Sequence, residues 1–120
     1  LIIFTITNYD NGTNAVAPVY ADTVGTIGGS DQVTYFGASS AESVSSVPMA
    51  QIGHTFTIAQ APYNLNVAIP ASANLAEPTT VDFGAYFNTT GAYSWNCMAP
   101  CDPGSMMTPG LMAGIITVTG

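Results

Sequence analysis

The chain has 120 residues, with no Lys or Arg, seven Asp or Glu and one His, for a formal net charge of −7. That length holds one domain, and 48% hydrophobic against 6% charged residues excludes an intrinsically disordered chain. With no Lys or Arg to pair with phosphates, neither nucleic acid nor an anionic lipid surface is an expected partner.

Residues 1–7 (LIIFTIT) alternate, placing Ile2, Phe4 and Ile6 on one face of a strand. Asn8-Tyr9-Asp10-Asn11-Gly12 reads as a turn, since Asn and Gly tolerate positive φ. Residues 15–20 suggest a short strand broken at Pro18. Residues 22–48, rich in Gly and Ser and without a period, form a long irregular insertion within one domain of residues 1–120. It contains an expected strand at 32–36 and a helical turn near 41–44, and is either functional itself or cover for a sheet edge. Period two returns at 54–59, where His54, Phe56 and Ile58 alternate with Thr55 and Thr57 as in a half-buried strand. Residues 64–69 make a further strand, stopped by Pro70. Another spans 79–87, with Val81, Phe83, Ala85 and Phe87 on one face. After a turn at Thr89-Thr90-Gly91, residues 92–97 place Tyr93, Trp95 and Cys97 on one face. A Pro- and Gly-rich loop then leads to a last strand at 111–119. Short strands joined by Gly and Pro turns predict an all-β sandwich with little helix, its core including Phe56, Phe83, Trp95, Ile116 and Val118.

No stretch reaches the roughly 18 to 20 apolar residues of a membrane helix. The chain opens inside a strand-like run, so any leader or anchor is expected upstream of Leu1. The sequons Asn11-Gly12-Thr13 and Asn88-Thr89-Thr90 point to N-linked glycans. Two cysteines, Cys97 and Cys101, permit a disulfide or a metal clip. These features lead us to expect a chain outside the cytoplasm. Without Lys or Arg, protonation of the carboxylates leaves it close to neutral, free of the self-repulsion that unfolds many proteins in acid. An acidic medium is one expected setting, and a low-charge cell-surface domain at ordinary pH is the other.

Soft and borderline donors lie at defined places. His54 opens one strand, Cys97 ends another, Cys101 sits in the loop and Met112 begins the last strand, with Met98, Met106 and Met107 nearby. Thiolate, thioether and imidazole are the donors of copper sites. The segments around them resemble the cupredoxins. Gly53-His54-Thr55-Phe56-Thr57-Ile58 is similar to the strand that carries that family's first His ligand. Gly91-Ala92-Tyr93-Ser94-Trp95-Asn96-Cys97 is similar to its Gly-x-Tyr-x-x-x-Cys strand, and Met112-Ala113-Gly114-Ile115-Ile116-Thr117-Val118 to the strand that follows its axial Met. Two Cys four apart resemble the binuclear copper (CuA) domain of cytochrome c oxidase subunit II and nitrous oxide reductase. The resemblance covers residues 50–120 and the strand at 1–7. It implies a Greek-key, cupredoxin-like β-sandwich with copper held by His54, Cys97, Cys101 and Met112 and by the Ala99 carbonyl. It also implies an electron path through Trp95, with membrane oxidase subunits or a redox protein as partners.

The chain departs from that pattern at Ser105, which stands where the family has its second His, and in a longer loop before Met112. One copper of a binuclear centre then lacks its imidazole, and a mononuclear blue site lacks one of its two. A sandwich resting on apolar faces survives that loss, whereas the function rests on the site. Plain structural roles stand beside the metal roles: His54 as a buried, hydrogen-bonded His, Met112 as core, and Cys97–Cys101 as a disulfide stapling the loop. The disulfide is expected ahead of copper. Two functions follow. One is electron transfer, or its copper-free degenerate form. The other is a secreted structural subunit of a surface layer or filament, assembling with copies of itself by strand addition through the apolar run 1–6. Hydrolytic chemistry ranks below both, with one His, no Lys and no Ser on a strand-to-helix elbow.

Overall fold

A computed structural model describes residues 1–10, 12–13, 16–59, 63–98 and 113–119. Strands form where apolar and polar residues alternate: β1 (Ile2–Asn8), β2 (Asp31–Thr34), β3 (Glu42–Val44), β4 (Ile52–Ile58), β5 (Leu65–Pro70), β6 (Thr79–Ala85), β7 (Gly91–Asn96) and β8 (Ala113–Val118). Among the described residues they build two four-stranded antiparallel sheets, ordered β1-β6-β2-β3 and β5-β4-β7-β8. The chain is therefore an all-β sandwich, and its helical structure among the described residues is three short 3₁₀ turns.

The inner faces meet in one core. Val33, Phe56, Ile58, Leu65, Val67, Ile69, Val81, Phe83, Ala85 and Tyr93 are buried together. Phe4 stacks on Phe83 with centroids 5.0 Å apart and lies 5.7 Å from Phe56, which stacks on Trp95 at 5.1 Å. These contacts tie β1 and β6 of one sheet to β4 and β7 of the other. Phe56 and Phe83 are as buried as the sequence predicts, while Trp95, Ile116 and Val118 are half-buried. Ile116 and Val118 stand on β8, which ends its sheet among the described residues.

Other expectations change. The strand expected at 15–20 is instead a 3₁₀ turn at Pro18–Ala21, where Pro18 supplies a preset φ at the first turn. The helical turn expected near 41–44 is β3, which pairs Val44 with Asp31 and Glu42 with Val33. The 22–48 excursion therefore adds two strands to the first sheet. It also reaches the second sheet, where Val24 bridges Asn66 on β5, while Asp22 bridges Ser46 within the excursion. Gly25 makes that close approach with φ +82, and a β-carbon there would collide with the Asn64 carbonyl.

That cover explains why β4 is buried on both faces rather than half-buried. Its Thr55 and Thr57 face lies beneath a smaller core of Val16, Ala21, Val47, Ile52, Ala68 and Cys97.

Candidate functional site at His54 and Cys97

The ends of β4 and β7 bring His54 and Cys97 together. Among the described residues these strands pair at Thr57 and Asn96, and Cys97 follows directly. Beyond that pair, side chains continue the connection. The Thr55 amide donates to Cys97 Sγ at 3.4 Å, and the Met98 amide donates to the Thr55 hydroxyl at 2.7 Å. The Thr55 hydroxyl lies 2.9 Å from that of Thr57, which donates to Asn66 Oδ1 at 2.7 Å. Each hydroxyl has one hydrogen, so the direction runs from Met98 through Thr55 and Thr57 to Asn66. Asn66 then gives both amide hydrogens to the carbonyls of Tyr20 and Asp22, at 2.9 and 2.8 Å. A buried network satisfied at every member fixes the backbone that presents the sulfur.

The His54 ring is held from the opposite side. The β4–β5 ladder pairs Ile52 with Pro70 and His54 with Ile69, so Gly53 forms a bulge that re-aims the next side chain. His54 Nε2 lies 3.0 Å from Asp10 Oδ2, and Nδ1 lies 3.9 Å from Cys97 Sγ. Asp10 follows β1 and is itself fixed. Its Oδ1 accepts the Gly12 amide at 2.9 Å, and its carbonyl accepts the Ser72 amide at 2.9 Å. The Asp10 amide donates to Asn8 Oδ1 at 3.0 Å, and Asn8 donates to the Pro70 carbonyl at 3.0 Å. Beside the ring lies a cavity of about 370 Å³ whose walls include Phe4, Ile6, Phe56, Ile69 and Trp95. The contact with Cys97 pushes the His54 pKa above its ordinary value. Burial opposes this, and the Cys97 and Asp10 charges and the Asp10 hydrogen bond add to the rise.

A Cys–His–Asp series supports either a thiolate nucleophile or a soft-metal ligand pair. Exposure separates the two. Cys97 is 0% exposed, which keeps a substrate carbonyl from its sulfur. A metal needs no such access, and metal–nitrogen and metal–sulfur bonds together span about 4.3 Å. The 3.9 Å between Nδ1 and Sγ lies inside that reach, so one ion can touch both atoms.

Of the residues singled out in the sequence, His54 and Cys97 are brought together. Cys101, Met112, Ala99, Ser105, Met106 and Met107 lie outside the described residues, as does the Cys97–Cys101 pairing. Among the described residues, no three His, Cys, Asp or Glu side chains are grouped to hold a metal. Asn11 also lies outside them, while Asn88 is exposed between β6 and β7. The sequence reading passes over Asp10 and Thr55. Asp10 is legible only as a turn residue, because its partner lies 44 positions away. Thr55 reads as a solvent-facing alternate of β4, although its place directly after the His is a signal. Compared with models of protein families, with curated proteins and with solved structures, the chain matches none.

Proposed function

We propose that the chain is an extracytoplasmic cupredoxin-like domain in which His54 and Cys97 hold copper for electron transfer. The observation that carries this reading is the 3.9 Å approach of His54 Nδ1 to Cys97 Sγ, with Asp10 behind the ring and the Thr55 amide on the sulfur. Copper supplies one-electron chemistry when bound. Cys97 contributes a thiolate, His54 an imidazole, and Cys101 and Met112 are the further donors that the resemblance implies. The Thr55 N–H stabilises negative charge on sulfur, a lever on reduction potential in thiolate copper sites. Trp95, stacked on Phe56 and beside the His54 cavity, offers a route from the site to a redox partner such as a membrane oxidase.

The test is copper uptake by the reduced chain, read by mass spectrometry and visible absorption. The expected result is retained copper with a sulfur-to-copper charge-transfer band that Cys97→Ser abolishes and His54→Ala shifts or weakens. A reduced chain that retains no copper overturns the proposal. A native chain with no titratable thiol, in which Cys97 and Cys101 are joined as a disulfide, overturns it for the oxidised form.

The open edge of β1 favours a second reading, a copper-free structural subunit. Leu1 and Ile3 are each 65% exposed, and among the described residues β1 pairs with β6 alone. A groove of about 420 Å³ runs from Leu1, Ile2 and Phe4 to Ile116 and Val118 on β8. On this reading β1 adds to β1 of a second copy. Sedimentation should then show association that Ile3→Lys abolishes, and a monomer at every concentration contradicts it.

A further inference from the structure

We infer that Asp10 is the positioning residue of His54: it holds the ring proton on Nε2 and thereby turns the unprotonated Nδ1 toward Cys97. Neutral imidazole carries its proton on one nitrogen, and the partner of the other nitrogen decides which. Asp10 is fixed tightly enough to decide. Its Oδ1 is occupied by the Gly12 amide, its backbone is tied to Asn8 and Ser72, and this leaves Oδ2 at 3.0 Å as an acceptor for Nε2–H. Nδ1 then presents a lone pair on the side where Cys97 Sγ stands at 3.9 Å. Outer carboxylates that orient ligating imidazoles in this way also raise their basicity. The effect of Asp10 on metal rests on the copper reading above, whereas its effect on the ring proton belongs to the metal-free chain.

The chain has one His, so its imidazole nitrogens give a single, unambiguous set of ¹⁵N resonances. In the reduced, metal-free protein, above the pKa of the ring, the wild type should show the Nε2–H tautomer. Asp10→Asn is the sharp variant. Its oxygen is held by the Gly12 amide, so its NH₂ faces Nε2, which must then accept and move the proton to Nδ1. A substitution of this kind behind a catalytic imidazole is known to impose the wrong tautomer. Asp10→Ala removes both interactions and should give a mixture of tautomers. Copper(II) and cobalt(II) titrations should show both variants binding about 10- to 100-fold more weakly than wild type. Wild-type ¹⁵N shifts retained in both variants overturn the inference, whereas changed shifts with metal affinity equal to wild type uphold the role of Asp10 on the ring proton and overturn its effect on metal. A tautomer change in a chain that takes up no metal upholds the role of Asp10 and overturns the copper reading instead.

Discussion

The Asp31 carboxyl is 1% exposed. The Thr23 hydroxyl donates to its Oδ2 at 3.1 Å, and its Oδ1 has no hydrogen-bond partner among the described residues. Burial pushes its pKa from 3.8 up to about 6, opposed by the Thr23 hydrogen bond. The folded chain thus keeps a proton that the unfolded chain has released. The stability this contributes is complete below pH 3.8 and is lost as pH rises through 6. Asp31→Asn should therefore raise unfolding stability by about 1 to 3 kcal/mol at neutral pH and leave it nearly unchanged at pH 4. Urea denaturation at the two pH values checks this, and an unchanged neutral midpoint counts against it. Gly114 makes a second residue-scale prediction. A β-carbon there would collide with the Trp95 indole, so Gly114→Ala should cost about 1 to 3 kcal/mol. It should also shift the emission of the single Trp to the red.

At the scale of elements, β6 shows what a sequence makes legible. Val81, Phe83 and Ala85 alternate with Thr80, Asp82 and Gly84, and burial alternates with them. The strand β4 has the same pattern in sequence but not in burial, because a segment more than thirty positions earlier in the chain folds over its Thr face. No local period announces that cover. For the same reason β3, three residues in a Ser-rich run, is legible only through its partner β2. His54 and Cys97 are legible by residue type, whereas the Asp10 and Thr55 contacts that orient them arise from tertiary pairing. Asn66 joins the cover to β4. Asn66→Ala leaves the Thr57 hydroxyl and the carbonyls of Tyr20 and Asp22 without their partner. That should cost about 2 to 4 kcal/mol and speed amide exchange at Thr55 and Met98. Asn64→Ala, at an exposed site nearby, should change stability by less than about 0.5 kcal/mol, which separates loss of the network from loss of an amide.

At the scale of the whole molecule, three pKa shifts among the described residues share one sign. Asp31 is raised by burial, His54 by its contact with Cys97, and Tyr35 by burial and then by Glu42. The folded state binds more protons than the unfolded state in each window, so stability should fall as pH rises from about 4 toward 8 and beyond. Charge acts in the same direction, because a chain of net charge −7 without Lys or Arg loses its self-repulsion as carboxylates protonate. Thermal unfolding should therefore show a higher midpoint at pH 5 than at pH 8, with the fold retained at pH 3. Loss of the sandwich between roughly pH 4 and 2 contradicts that expectation. On the copper reading His54 and Cys97 converge on one ion, and X-ray absorption at the copper edge of the reduced, copper-loaded chain tests this directly. The predicted spectrum contains imidazole nitrogen and at least one sulfur within about 2.3 Å of copper. A spectrum with nitrogen and oxygen neighbours alone, without sulfur, contradicts the claim.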